Sequence, residues 1–201
     1  MNAPSASARR PRLALIGLAA LFFVPLAASF YLYYGTGWRP SGAAQHGELI
    51  HPARPLPETQ LALADGGVTG ADFLRGDWHL VYVGSGDCDA TCREMLVKSR
   101  QVRLALDKDV TRVGRVFLYA GAAPTPGFLA SEHGDLVAAS VAGSEGARLL
   151  AAFPAEPPVL VAGRLYIVDP LGNLMMSYPP GAPPKGILED LERLLKLSHI
   201  G

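Results

Sequence analysis

Between Arg12 and Arg39 the chain contains no Asp, Glu, Lys or Arg, and Leu13 to Tyr34 forms an uncharged run of 22 residues. Wound as a helix, such a run reaches across the roughly 30 Å of a bilayer's hydrocarbon. Arg9, Arg10 and Arg12 stand directly before it and only Arg39 follows closely. The positive-inside rule therefore predicts a cytoplasmic amino terminus and an exported remainder. Tyr31, Tyr33, Tyr34 and Trp38 gather at the far end, where amphipathic rings favour the membrane interface. Pro25 is tolerated inside a membrane helix and predicts a bend. The alternative is a cleaved signal peptide with Ala27-Ala28-Ser29 offered to a peptidase. The apolar core of such signals is about 7 to 15 residues, shorter than this run, so the expectation is an uncleaved anchor.

The 201 residues leave room for one packed domain behind that anchor. Four of the 18 basic residues and none of the 18 acidic ones fall in residues 1–40, so the rest carries 14 against 18, a net charge of −4. A mildly acidic domain without a Lys/Arg cluster excludes nucleic acid as a partner, since that affinity rests on many phosphate contacts. An apolar content of 49% excludes a disordered chain, two cysteines exclude a disulfide-stapled miniprotein, and one long apolar run excludes a polytopic transporter.

The expected organisation is a cytoplasmic basic tail (1–12), a transmembrane anchor (13–34), a Pro-rich stalk (35–58) and a folded domain (59–201). Pro40, Pro52, Pro55 and Pro57 argue that the stalk is extended. In the domain, His79–Val83 and Arg115–Tyr119 are β-branched and aromatic runs suited to buried central strands, and Leu136–Val141 is a weaker, Ala-rich strand. Arg164–Val168 and Leu174–Tyr178 flank Asp169-Pro-Leu-Gly172 as a hairpin. Apolar spacing predicts helices over 91–106, 143–153 and 185–197, with the remaining Ala/Gly/Pro-rich sequence of 120–158 as loop and small-residue packing. Strand, helix, strand, helix, hairpin, helix implies an α/β sandwich around one mixed sheet, with a right-handed crossover and an antiparallel edge.

The only cysteines, Cys88 and Cys92, lie at the junction of the first core strand with its helix, in Val83-Gly-Ser-Gly-Asp-Cys88-Asp-Ala-Thr-Cys92. Sites are built at that carboxyl end of a strand in open α/β sheets. Four residues apart on a helical turn, the sulfurs share one face and can oxidise together or clamp a soft cation. The helix amino terminus favours a thiolate, whereas Asp87 and Asp89 disfavour one. A stapling disulfide is the alternative. Closing so short a loop yields only about 2 kcal/mol in the chain-entropy treatment, against about 4.7 for 100 residues, so the position suits redox or metal chemistry better.

These residues resemble the Sco/SenC family of membrane-anchored, thioredoxin-fold copper proteins of cytochrome c oxidase assembly. Cys88 and Cys92 match the family's cysteine pair, Phe117–Tyr119 its next core strand, Tyr166-Ile-Val-Asp-Pro-Leu-Gly172 its Asp-Pro turn and Ile187–Leu195 its last helix. Gln45–Ile50 with Pro52 and Pro55 is similar to the stalk of small membrane proteins from proteobacterial oxidase assembly clusters. The departures are Asp89, where the family has Pro, and Val159–Gly163, where its third copper ligand would be a His. The resemblance implies a thioredoxin-like domain on the periplasmic face of the bacterial inner membrane. It also implies Cys88 and Cys92 as redox-active or Cu(I)-holding residues, and an oxidase subunit or another assembly factor as partner.

Cys88, at the helix start, is expected to be the more exposed, attacking sulfur, with Cys92 resolving. His79 is expected at a strand edge or facing solvent at the far end of its strand, His46 and His51 on the stalk surface, His133 in a solvated or capping turn, and His199 in a frayed terminus. Met175 and Met176 are expected to fill the core. A non-catalytic scaffold whose cysteines only staple the turn is the remaining alternative. Phosphate-loop, His-Glu-x-x-His and Gly-x-Ser-x-Gly signatures do not occur in the sequence.

Overall fold

A computed structural model describes residues 9–35 and 45–198. Two compact units divide at residues 44 and 45. In the first, helix α1 (Arg9–Phe30) continues as one π-helical turn over Tyr31–Gly35. Its stretch Leu13–Phe30 has a mean hydropathy of 2.3 and buries nothing within the protein, as expected where lipid is the solvent. Pro25 lies inside it.

The second unit is one six-stranded mixed sheet in the order β1-β6-β5-β2-β3-β4. β2 (Trp78–Ser85), β3 (Val113–Ala120) and β4 (Leu136–Ser140) are parallel. β5 (Leu165–Val168) and β6 (Asn173–Tyr178) form the expected hairpin, of which β5 pairs antiparallel with β2. Alternation along the central strands separates two cores. Trp78, Leu80 and Tyr82 pack with Phe117 against Met95 and Leu96 of α2 (Ala90–Ala105) and Ile187 and Leu191 of α5 (Pro184–Leu197). Val81, Val83, Val116 and Leu118 pack on the other face with Leu149 of α4 (Gly143–Leu150), Phe153, Leu56 and Leu61. The chain at Ala62–Ala64 bonds back to β4 through Ser140 N to Ala62 O (2.8 Å) and Ala64 N to Ala138 O (2.9 Å), which covers that sheet edge.

The segment expected as a stalk is the main departure. Glu48–Pro55 is strand β1, paired antiparallel with β6, with an irregularity between Leu49 and Arg54. Proline cannot donate to a ladder, and an edge strand with one free flank accommodates it. The strand is anchored by Asp190 of α5, whose buried carboxylate accepts from His46 N (2.7 Å), Gly47 N (2.9 Å) and the Tyr178 hydroxyl (3.0 Å). Arg164 bridges Glu48 and Ser177 beside it. A Cβ on Gly47 would stand 2.5 Å from the Tyr178 ring, so only glycine passes. The compact unit thus starts near Gln45, ahead of Thr59.

Helix α3 (Pro126–Glu132) forms within the stretch expected as loop, with Pro126 in its first turn. Arg115, which opens the apolar run of β3, is fully buried. It donates to Ser99 Oγ (3.1 Å), Leu96 O (2.6 Å) and Asp135 Oδ1 (2.8 Å). Burial lowers its pKa, and Asp135 opposes that shift.

Candidate functional site at the disulfide turn

β2 delivers the chain to a tight turn. Gly86 N donates to Ala120 O (2.9 Å), and a Cβ there would lie 1.7 Å from Ala122 O. Glycine is therefore required by the close approach of two backbones. Cys88 follows in the left-handed region at φ +45°, a conformation uncommon for a side-chain-bearing residue. Its N–H donates to Ser85 O (3.1 Å), and its carbonyl accepts from Arg93 Nε (3.2 Å). Asp89 then caps α2, its carboxylate accepting from Cys92 N at 2.9 Å.

Cys88 and Cys92 form a disulfide with Cα atoms 5.1 Å apart. The residues are only 3% and 2% exposed, so both cysteines are buried and differ little in exposure. The place of Cys88 ahead of the capping residue folds it into the turn, beneath Arg93, whose guanidinium lies 5.1 Å over the Phe128 ring. Cys92 lines a cleft of about 430 Å³ with Tyr82, Asp87, Asp89 and Thr91. Asp89 spends its carboxylate on the N–H that a thiolate at this helix terminus would otherwise use, and adds a negative charge beside it. Burial, and secondarily the Asp89 charge, push the Tyr82 hydroxyl up to about 12.

The facing wall is Leu160, Val161 and Gly163, part of the segment that departs from the Sco/SenC pattern. Gly163, at φ +59°, brings that loop against α2. A Cβ there would touch Thr91 Cγ2 and Pro180 Cγ, each at 3.2 Å. The cleft is thus lined by Cys92 of the disulfide, by Asp87 and Asp89, and by no histidine. Among the described residues no group of three or more His, Cys, Asp or Glu is placed to hold a metal ion.

The histidines lie elsewhere. His79, the second residue of β2, is buried, with Nδ1 unpartnered. The solvent-facing expectation fails because β2 is covered on both faces and flanked by β3 and β5. Burial lowers its pKa. His133 is likewise buried, at 1% exposure, and not solvated. Its Nδ1 takes Arg115 Nη2 at 3.3 Å, and its ring stands edge-on to Phe128 at 5.0 Å. Burial and Arg115 lower its pKa. His46 is half-exposed between Glu189 and Asp190, each 3.4 Å away, and His51 is exposed. His199 lies outside the described residues. Met176 is buried and Met175 half-buried against the same core. Sequence reasoning missed Tyr82 as a cleft residue. Its signal was its place two residues before Gly84, on the face of β2 that carries α2.

Fold and site together define a thioredoxin-like disulfide protein with an amino-terminal apolar helix. Residues 78–198 match the family described as Transmembrane-like, thioredoxin-like, C-terminal domain, and the chain belongs to that family. Curated proteins give no match. Among solved structures it is similar to Bradyrhizobium japonicum ScoI with copper bound, at 20% identity over 69% of this chain and 98% of that one, TM-score 0.54. Yeast Sco1 with copper bound aligns at 16% identity over 74% and 96%, TM-score 0.61. BsSco, a member of the Sco family of cytochrome c oxidase assembly proteins in which a disulfide switch was identified, aligns at 14% over 73% and 96%, TM-score 0.55. At these identities the likeness is one of fold, and it bears out the thioredoxin-like sandwich with a mixed sheet. The apolar helix and the family together mark a membrane-anchored protein.

Proposed function

We propose that this chain is a dithiol–disulfide protein serving cytochrome c oxidase assembly, working by thiol–disulfide exchange at Cys88–Cys92. It is anchored in the bacterial inner membrane with its amino terminus cytoplasmic and its domain in the periplasm. The observation that carries the reading is the disulfide itself, formed by the only two cysteines of the sequence at a strand-to-helix turn that borders a cleft. The role in oxidase assembly is supported by the assembly proteins that share the fold, and the orientation by Arg9, Arg10 and Arg12. In the exchange step a thiolate of an oxidase subunit or another assembly factor attacks the sulfur of Cys92, the cysteine that lines the cleft, and the Cys88 sulfur leaves as thiolate. A second thiol of the partner resolves the mixed disulfide. The partner is oxidised by two electrons, and its two thiol protons end on Cys88 and Cys92. Tethering confines the domain to the plane of a membrane partner and raises effective concentration.

A second reading follows from the donor set. The reduced pair supplies two soft sulfurs, enough to carry Cu(I) as cargo, while the Leu160–Gly163 wall supplies no third ligand for retaining Cu(II). The two readings separate on the full chain in detergent. Cu(I) titrated anaerobically against a competing chelator is expected to bind one per reduced protein if the carrier reading holds, and Cys88→Ser or Cys92→Ser abolishes it. Absence of competition sinks the carrier reading. Exchange predicts that Cys88→Ser, which keeps the cleft-lining cysteine, traps mixed disulfides in cells and that Cys92→Ser does not. Oxidase assembly that survives the double serine variant would leave only a stapling role.

A further inference from the structure

Tyr82 is 3% exposed, yet its hydroxyl has no hydrogen-bond partner among the described residues. It is not one of the fully enclosed unpartnered atoms, which are Trp78 Nε1, His79 Nδ1 and His133 Nε2. It opens instead on the disulfide cleft, curled over Gly84, where an added Cβ would lie 3.3 Å from the hydroxyl oxygen. Buried tyrosine hydroxyls ordinarily find a partner, so one left open toward a cleft is free to bond what enters. With its pKa raised by burial and by Asp89, this phenol stays protonated and acts as a donor throughout neutral pH. On the same wall Asp87 and Asp89 are exposed and, among the described residues, form no ion pair with a Lys or Arg. Across from them Val161 is 78% exposed and Leu160 38%, a pair of apolar side chains at the mouth of an otherwise acidic cleft.

We infer that this cleft is a groove for an extended, positively charged polypeptide segment that bears two cysteines. The Tyr82 hydroxyl donates to a backbone carbonyl of that segment, Asp87 and Asp89 meet a lysine or arginine flanking its attacking cysteine, and Leu160 and Val161 cover an apolar neighbour. The inference rests on the exchange reading of Cys88–Cys92 and adds the class of substrate. Binding in this register sets the incoming sulfur against Cys92, the disulfide cysteine that lines the cleft. Loss of the Cys88–Cys92 bond then matches formation of a disulfide within the segment, with two electrons and two protons passing to the pair. Tyr82 is a positioning residue, since it holds the substrate's backbone and touches neither reacting sulfur. Charge complementarity acts mainly on encounter, so preference for a cationic segment weakens with salt.

The test uses the oxidised full chain in detergent and two dithiol peptides that are identical except for arginines or glutamates flanking their cysteines. Reduction by dithiothreitol serves as the reference. The arginine peptide is expected to react at least ten-fold faster at low ionic strength, the gap narrowing at high salt. Tyr82→Phe is expected to lower the arginine-peptide rate relative to dithiothreitol about five-fold, the scale of one neutral hydrogen bond. Asp87→Asn with Asp89→Asn is expected to erase the discrimination, since asparagine still caps the helix. Equal rates for the two peptides overturn the inference alone, as do peptides that stay inert while dithiothreitol reduces the pair. A disulfide that dithiothreitol opens only in denaturant overturns the exchange reading itself.

Discussion

Replacing Asp190 by Ala tests whether Glu48–Pro55 belongs to the folded domain. The Asp190 side chain is 2% exposed and accepts three donors, Tyr178 Oη, His46 N and Gly47 N. Tyr178 and Gly47 are buried, so the substitution strips Gly47 N of its partner and leaves the Tyr178 hydroxyl only Met176 Sδ at 3.7 Å, a weak acceptor. A hydrogen bond to a charged group is worth about 1.5–3 kcal/mol, and an orphaned buried donor costs about 1–3. Two such donors, offset in part by the charge no longer buried, set the loss at about 3 kcal/mol. Tyr178→Phe removes a donor together with its need and should cost only about 1 kcal/mol. Urea unfolding of the full chain in detergent measures the loss. Limited proteolysis localises it, with cleavage between residues 45 and 56 expected in Asp190→Ala and protection in the parent. A loss below about 1 kcal/mol with no new cleavage would refute the anchoring and return the segment to a stalk.

Burial depresses both His79 and His133, so the unfolded chain takes up protons near pH 6.5 while the folded one resists. Stability is therefore full above about pH 6.5 and falls as pH drops toward the folded values, by at most about 1.4 kcal/mol per pH unit for each histidine. Urea midpoints between pH 7.5 and 5 read this, and a flat profile contradicts it. Gly86→Ala drives a Cβ to 1.7 Å from Ala122 O and should cost more than about 2 kcal/mol while perturbing the disulfide turn, seen as faster reduction of the pair. Arg115→Met leaves the partly solvated Asp135 behind and is expected to stay within about 1.5 kcal/mol of the parent. Asp135→Ala strands a buried guanidinium and should cost more, about 3 kcal/mol, so the reverse order in thermal unfolding would refute the assignment of that pair.

Elements whose own side chains carry their burial were legible in the sequence. Leu80–Val83 and Val116–Tyr119 are apolar on both faces because helices or loops cover both, and Met95, Leu96 and Val102 repeat at helical spacing for the same reason. The Asp169–Gly172 turn carries its own signal, since Asp169 accepts from Leu171 N and Asn173 N within five residues. β1 was not legible. Glu48–Pro55 is almost wholly exposed and proline-bearing, and what makes it a strand is β6 and a carboxylate more than 140 residues away. The site was half legible. Spacing alone placed the cysteines at the turn, whereas their burial depends on the left-handed Cys88, the Arg93 contact with its carbonyl and the loop at Gly163. The positive charge of Arg115 disguised a core position, since only Ser99, Leu96, His133 and Asp135, brought together by the fold, satisfy it.

The reduction potential of Cys88–Cys92 tests the central claim most directly. The full chain in detergent is equilibrated in graded glutathione buffers at pH 7, quenched with a thiol-reactive mass tag and counted as oxidised or reduced. An exchange protein should titrate between about −180 and −270 mV; a value below about −300 mV would mark a structural staple and contradict the account.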